Sequence, residues 1–213
     1  DYYASRGLGD VYKRQLMARA AKQAGTPAIR TSSIRDVIAI KEETGLPVIG
    51  LVKIQYPGYE GYITPTMKEV DDLVAAGSDV VALDCTLRKR GDGITVNEFI
   101  AQIKEKYPDI ILMADISNYE EGINAWKCGV DIVGTTMSGY TDYTSKKDEP
   151  DYELMERLAK DTDIPIIGEG KIHYPDQAVK ALQTGVWAIV VGGAITRPLE
   201  IAQRFQKAIE AGK

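Results

Sequence analysis

The feature that most constrains the fold is an alternation of two kinds of segment along the whole chain. Seven short apolar runs rich in valine and isoleucine alternate with stretches of helical period. Apolar runs without period-2 alternation are typical of strands buried on both faces, as in parallel sheets. The repeated alternation therefore predicts an α/β fold. The predicted strands are Pro27–Thr31, Pro47–Lys53, Val80–Thr86, Ile110–Ser117, Asp131–Ser138, Ile164–Ile172 and Trp187–Thr196.

The segments between these runs predict helices whose ends are marked by glycine or proline. A glycine just past a helix can adopt the left-handed conformation that ends it, and a proline in the first turn costs no hydrogen bond. The glycines so placed are Gly25, Gly45, Gly77, Gly129 and Gly185, and the prolines are Pro175 and Pro198. The predicted helices are Leu16–Gln23, Ile34–Thr44, Met67–Ala76, Val96–Lys106, Tyr119–Lys127, Tyr152–Asp161, Pro175–Thr184 and Pro198–Glu210.

One helix precedes the first predicted strand, whereas every other helix follows a strand. This order indicates a (β/α)8 barrel that lacks or replaces its first strand. We predict a single barrel domain over residues 16–213. Residues 1–15 contain no buried-strand run, and their segment GDVYKRQ resembles translated sequencing-adaptor DNA. We therefore expect residues 1–15 to be a disordered or artefactual segment.

Composition excludes several classes of function. The 213 residues include one histidine and two cysteines, too few for a histidine-rich metal cluster or a zinc-finger array. The net charge of −5 gives no basic field for nucleic acid, and no apolar run approaches the 18–20 or so residues of a membrane span. Cys85 and Cys128 lack a spacing motif, so we expect reduced core residues and a cytoplasmic protein.

Polar residues at the carboxyl ends of the predicted strands are the candidate site, because these ends carry the chemistry of a (β/α)8 barrel. For Lys53 three roles are open: Schiff-base nucleophile, general base or phosphate counter-charge. We expect His173 to be structural or exposed at the rim, and the charge run Arg88–Gly93 to be a solvated loop. The strand-end residues are Arg30, Lys53, Asp84, Asp115, Ser138, Glu169, Lys171, Gly192 and Gly193.

The last strand end predicts a phosphate site. Gly192 and Gly193 allow backbone N–H groups to approach an anion closely, and the helix that follows adds its dipole. Arg197, at the start of that helix, supplies charge-assisted hydrogen bonds.

Several long motifs resemble those of bacterial N-acetylmannosamine-6-phosphate 2-epimerases, in that family's order and spacing from about Leu16 to the C-terminus. They are PVIGLVK, YITPTMKEV, ALDCTLRKR, MADIS, TTMSGYT, IIGEGKI and VVGGAITRP. The resemblance implies a barrel of the ribulose-phosphate-binding type that interconverts N-acetylmannosamine 6-phosphate and N-acetylglucosamine 6-phosphate in amino-sugar and sialic-acid catabolism. It implies no metal and no organic cofactor, with a small phosphosugar as the partner. A homodimer is compatible with it, since family members are often dimers.

The same resemblance implies roles for individual residues. Lys53 matches the family's catalytic lysine, and we group Glu169 with it. Arg30, Asp115 and Lys171 fall in the substrate-binding group, and the turn with Gly192, Gly193 and Arg197 matches the phosphate-binding group.

Two departures from the family stand out. Lys171 occupies a position where the family usually has arginine, which keeps the charge but loses the bidentate fork. Nothing in residues 1–15 matches the family's first strand, whose glutamine contacts substrate. Two alternatives remain at this point: a class I aldolase with Lys53 as Schiff-base former, and a non-catalytic sugar-phosphate-binding protein or truncated barrel.

Overall fold

A computed structural model of the chain describes residues 8–146 and 148–212. The strands are β1 (Ile29–Ser32), β2 (Val48–Leu51), β3 (Val80–Asp84), β4 (Ile111–Asp115), β5 (Ile132–Gly134), β6 (Ile166–Glu169) and β7 (Ala188–Val190). The helices are α1 (Leu8–Gln23), α2 (Ile34–Thr44), α3 (Met67–Ala75), α4 (Val96–Lys106), α5 (Tyr119–Lys127), α6 (Tyr152–Asp161), α7 (Pro175–Gln183), α8 (Gly193–Thr196) and α9 (Pro198–Ala211). Strands and helices alternate as predicted, and the five predicted helix-end glycines all have positive φ.

Helix α1 is longer than predicted. It begins at Leu8 rather than Leu16, so residues 8–15, expected to be irregular, form its first two turns. This stretch lacks an apolar period, and polar contacts with α2 hold it instead. Arg14 forms an ion pair with Asp36 at 3.0 Å, and the side-chain amide of Gln15 donates to the carbonyl of Ala39. The described chain has no strand before β1, and residues 1–7 lie outside the described residues.

The last predicted strand is only partly a strand. Residues 188–190 form β7, whereas Gly193–Thr196 form the short helix α8. Ala194 and Ile195 supply apolar content that resembles a strand in the sequence, but the backbone N–H groups of Ile195 and Thr196 both donate to the carbonyl of Gly192. The Gly-Gly pair therefore begins a helical turn that precedes α9.

The chain divides into two compact units, and the first comprises the residues up to Asp115 together with Asn124–Ile132. Its strands β1 to β4 pair in parallel in chain order. Val80 pairs with Ile111, and this register ends with Asp84 opposite Asp115. The two carboxylates therefore lie side by side at the carboxyl ends of neighbouring strands.

The second unit comprises Ile116–Ile123 together with the chain from Val133 onward. Within it β5, β6 and β7 pair in parallel, with Val133 opposite Ile166 and Glu169 opposite Val190. In the described part of the chain, no helix combines the length and apolar content needed to cross a membrane.

Local sequence explains where the helices begin and end. Thr95 and Glu98 form a capping box at the start of α4, in which the threonine hydroxyl accepts from the Glu98 N–H and the carboxylate accepts from the Thr95 N–H. Gly45 ends α2 in the left-handed conformation, with φ of 63°. In β2, lack of space explains the glycine at position 50, because a side chain there would collide with the Ser78 hydroxyl.

Burial is concentrated in the first unit. Strands β2 and β3 are buried along their whole length, and α4 contributes Phe99, Ile100 and Ile103, each at most 2% exposed. In the second unit β6 is largely buried, but β7 has no buried side chain and α9 none either. The hydrophobic core that positions the strand ends is therefore best defined around β2, β3 and β4.

Matched isoleucines on two helices test this core. Ile103 of α4 is fully buried, whereas Ile38 of α2 is 42% exposed. We expect Ile103→Ala to lower the free energy of unfolding by about 2–5 kcal/mol, because it removes buried methyl groups and leaves a cavity. Ile38→Ala, also within a helix but at an exposed position, should lower the free energy of unfolding by less than about 1 kcal/mol. Urea denaturation measures both, and equal losses would contradict this description of the core.

Candidate active site

The best-defined element of the site is a buried ion pair in the first unit. The Arg30 guanidinium at the middle of β1 donates two hydrogen bonds to the Asp115 carboxylate at the end of β4, at 3.0 and 2.6 Å. The two side chains are 7% and 0% exposed. Strands β1 and β4 are three strand spacings apart, about 14 Å in a flat sheet. The pair therefore requires that these four strands curl toward one another.

Lys53 follows β2 and is half-buried. Its backbone forms an isolated antiparallel bridge with Ile63. On either side, the N–H of Ile54 donates to the carbonyl of Tyr62 at 2.9 Å, and the N–H of Thr64 donates to the carbonyl of Val52 at 2.7 Å. The lysine is thus held by a second segment of chain, part of the motif YITPT.

Asp84, at the end of β3, is a carboxylate held by three donors. It accepts from the N–H and the hydroxyl of Thr86 at 3.1 and 2.5 Å, and from the Arg88 guanidinium at 2.6 Å. Burial raises the pKa of Asp84 above its ordinary value, Arg88 and Thr86 oppose the rise, and the neighbouring Asp115 adds to it. Sequence reasoning identified Asp84 as a strand end but gave no partner for it.

The expectation of a solvated loop at Arg88–Gly93 is wrong for both of its arginines. The side chains of Arg88 and Arg90 are only 14% and 9% exposed. Arg88 pairs with Asp84, while the Arg90 guanidinium lies over the Phe99 ring at 3.9 Å and donates to Asp92. These partners offset part of the desolvation cost of burying the two guanidinium groups.

A small cavity lies beside this arginine cluster, wholly within the first unit. Asp84, Arg88 and Arg90 contribute its charged lining, and the buried Nε of Arg90 has no hydrogen-bond partner. The remaining lining residues are Tyr59, Gly61, Pro65, Thr86 and Val96.

In the second unit Glu169 ends β6. Its carboxylate accepts from the Thr136 hydroxyl at 3.1 Å. The Thr135 hydroxyl donates to the Glu169 carbonyl at 2.9 Å and accepts from its N–H at 3.0 Å. Sequence reasoning missed both threonines, although TTMSGYT was visible as a motif. The sequence feature that could have identified them is the position of two hydroxyl residues directly after a buried strand.

Lys171 has a strained backbone and lies against the loop after β5. Its φ is 58°, and its ammonium lies 5.3 Å from the centre of the Tyr140 ring. A side chain at Gly139 would collide with that ammonium. The neighbouring Ser138, another predicted strand end, donates instead to Asp151 at the start of α6, at 2.8 Å.

The predicted phosphate turn contains two consecutive helices. Gly192 caps α8, and Arg197 lies between α8 and α9. The exposed Arg197 guanidinium donates to the Glu200 carboxylate at 2.7 Å. An incoming phosphate would therefore compete with Glu200 for this arginine.

His173 is partly buried, and its Nδ1 has no hydrogen-bond partner. Burial lowers the pKa of His173, and Arg204, Arg197 and Lys171 lower it further while Glu200 opposes them. This environment favours the neutral imidazole at neutral pH.

The single histidine can be titrated directly. We expect its Cε1–H signal in proton NMR to titrate below the ordinary 6.5 in the folded protein and near 6.5 in urea. Because the unfolded chain then binds more protons between the two pKa values, stability is lost as the pH falls from 6.5 through the folded pKa. His173→Gln should remove this contribution. A folded midpoint at or above 6.5 would contradict the assignment.

The structure thus brings Arg30 and Asp115 into direct contact in the first unit, and between their strands Lys53 follows β2 and Asp84 ends β3. The second unit contains Glu169, Lys171, Gly192, Gly193 and Arg197, each at or just after the carboxyl end of β6 or β7.

Comparisons with known proteins show the family to which the chain belongs. A family model described as "Putative N-acetylmannosamine-6-phosphate epimerase" matches residues 14–211. Relatives named "Putative N-acetylmannosamine-6-phosphate 2-epimerase" include one from Caldanaerobacter subterraneus subsp. tengcongensis, 56% identical over 189 residues that span 89% of this chain and 80% of the relative. Another, from Clostridioides difficile, is 50% identical over 91% of this chain and 86% of its own length.

A solved structure gives the same result. The N-acetylmannosamine-6-phosphate 2-epimerase from Clostridium perfringens aligns with a TM-score of 0.90 and 46% identity, covering 96% of this chain and 89% of its own. This match confirms the predicted fold class, a (β/α)8 barrel of the ribulose-phosphate-binding type whose first strand has no counterpart among the described residues. The chain belongs to the N-acetylmannosamine-6-phosphate epimerase family.

Proposed function

We propose that this protein interconverts N-acetylmannosamine 6-phosphate and N-acetylglucosamine 6-phosphate by inverting C2, which makes it a carbohydrate epimerase. The observation that carries the proposal is the alignment over 96% of the chain with the Clostridium perfringens 2-epimerase. The family implies amino-sugar and sialic-acid catabolism as the setting. The thiols of Cys85 and Cys128 are both in the reduced form, which supports a reducing, cytoplasmic location.

The reaction requires one proton to leave C2 and one to return on the opposite face. In the open-chain sugar, C2 is adjacent to the C1 aldehyde, so the electron pair left by the proton moves onto the C1 oxygen. When a proton returns to C2, the aldehyde is restored and no atom is gained or lost. A single acid/base group serves both steps if the intermediate presents both of its faces to that group.

We assign Lys53 as this acid/base group. The backbone bridge to Ile63 fixes the position at which the side chain leaves the main chain. General acid–base groups contribute rate factors of about 10² to 10⁴. The class I aldolase alternative is not favoured, because relatives of this chain at 56% and 50% identity carry the epimerase name.

The other residues bind and orient the sugar phosphate in this proposal. Sugar hydroxyls donate to the carboxylates of Glu169 and Asp115, and Arg30 orients Asp115 through its two hydrogen bonds. Lys171 adds positive charge in the second unit. Backbone N–H groups at Gly192 and Gly193, with Arg197, receive the phosphate.

Replacement of Lys53 tests the chemistry. In deuterated buffer the parent protein should exchange the C2 proton of N-acetylmannosamine 6-phosphate, as followed by NMR. Lys53→Met should lower this rate by about 10²-fold or more, since the acid/base group is lost. Lys160→Met, at an exposed position on α6, is the matched control and should keep the parent rate.

Three results would contradict this assignment. A parent protein that binds the phosphosugar in calorimetry but leaves C2 unexchanged would be a binding protein. A Lys53→Met rate within tenfold of the parent would remove Lys53 from the mechanism. A stable borohydride-trapped adduct on Lys53 would favour the aldolase.

Replacement of Arg197 tests the phosphate assignment. Arg197→Met should raise KM for the phosphosugar by about tenfold or more with a smaller change in kcat, because a charge-assisted hydrogen bond to phosphate is lost. Arg19→Met is the matched control, since Arg19 also pairs with a glutamate, Glu43, at 2.8 Å on an exposed helix face. An unchanged KM in Arg197→Met, or an equal rise in the control, would contradict the role.

A further inference from the structure

Thr64 is a buried residue with an unfavourable backbone conformation. It lies in the segment that bridges Lys53, it is fully buried, and its φ is +46°. Positive φ is rare for residues other than glycine, and a β-branched side chain makes it a genuine outlier. Strain of this kind persists only where the surroundings impose it.

The Thr64 hydroxyl joins β3 to the residue that directly follows β2. It donates to the carbonyl of Ala82 in β3 at 2.6 Å and accepts from the backbone N–H of Val52 at 3.2 Å. The Thr64 N–H also donates to the Val52 carbonyl at 2.7 Å. Both backbone polar groups of the residue just before Lys53 are therefore held by one threonine.

The residues around Thr64 complete a clamp on the lysine backbone. Ile63 bridges Lys53 itself, and Ile54 on its other side donates to Tyr62. The Ile63 carbonyl accepts from the N–H of Asp84 at 2.9 Å, which ties the segment to the end of β3. The direction in which the Lys53 side chain leaves the backbone therefore depends on residues 62–64.

Glycine would adopt the same φ without strain, so the backbone gains nothing from threonine at this position. What threonine supplies and glycine lacks is the hydroxyl between Val52 and Ala82. We propose that Thr64 is a positioning residue that sets the orientation of Lys53 through the backbone of Val52. This inference rests on the proposed role of Lys53 as the acid/base group.

The expected effect is on the chemical step. Displacing a catalytic group by about 1 Å can cost about 10²-fold in rate, whereas binding of the sugar phosphate depends on other residues. Loss of the hydroxyl should therefore lower kcat and leave KM nearly unchanged.

Three substitutions at position 64 and one control separate positioning from folding. Thr64→Val removes the hydroxyl and keeps the shape, Thr64→Ser keeps the hydroxyl, and Thr64→Gly removes both the hydroxyl and the strain. Thr44→Val is the matched control, because the buried Thr44 hydroxyl also donates to a carbonyl, that of Ile40, and accepts from a backbone N–H, that of Leu46. For each variant kcat, KM and the thermal midpoint are measured.

We expect kcat to fall by about 10²-fold in Thr64→Val and Thr64→Gly with KM within about threefold of the parent. Thr64→Ser should stay within about fivefold of the parent kcat, and Thr44→Val should keep it even where its thermal midpoint falls. If Thr64→Val does not fold, Thr64→Gly is used for the test, because glycine adopts the positive φ at this position without strain. Any of three results overturns the proposal. They are a parent-like kcat in Thr64→Gly, a kcat in Thr64→Ser as low as that in Thr64→Gly, and a fall in kcat in Thr44→Val equal to that in Thr64→Val.

A second readout is independent of turnover. The rate of reductive methylation of Lys53, measured by peptide mass spectrometry at a fixed formaldehyde concentration, reports the surroundings of its ammonium. It should change at least threefold in Thr64→Gly and not in Thr44→Val or Thr64→Ser, and an unchanged rate in Thr64→Gly overturns the positioning role. If Lys53→Met keeps its activity, Lys53 is not the acid/base group, yet this labelling result still decides whether Thr64 positions Lys53.

Discussion

The pairing of Arg30 with Asp115 is the interaction on which the first unit depends. Both groups are removed from water, so neither is tolerable without the other, and breaking such a pair costs more than the pair contributes. Their side chains meet only if β1 to β4 curl, and the curl brings the carboxyl ends of these strands closer together. One ion pair thus couples the curvature of the sheet to the placement of Lys53, just after β2, and of Asp84, at the end of β3.

Two other carboxylates at strand ends are held by loop residues. Asp84 accepts from Thr86 and Arg88 in the loop after β3, and Glu169 accepts from Thr136 in the loop after β5. Such hydrogen bonds orient the two carboxylates while the strands beneath them remain apolar. The orientation of these side chains is therefore set by hydrogen bonds, whereas the stability of the fold comes from the hydrophobic core.

The sequence predicted local features well and distant pairings poorly. Helices α2, α4, α5 and α6 have the predicted bounds, because their caps and their apolar period are both local signals. The strand ends were predicted as a group, but Arg30 and Asp115 are 85 residues apart and nothing local marks them as partners. Thr64 was missed for the same reason: its importance lies in a φ angle and two hydrogen bonds that exist only after β2 and β3 have paired. Arg88 and Arg90 were misread as solvated because their partners were unknown.

The contact between Lys171 and the loop at Gly139 bears on which cation position 171 can carry. Gly139 has φ of 75°, a conformation that glycine adopts without strain, so the backbone alone accounts for this residue. A Cβ there would meet the Lys171 ammonium, but the ammonium is the end of a flexible side chain and can move aside. Exchange of lysine for arginine at position 171 is therefore compatible with an unchanged glycine at position 139.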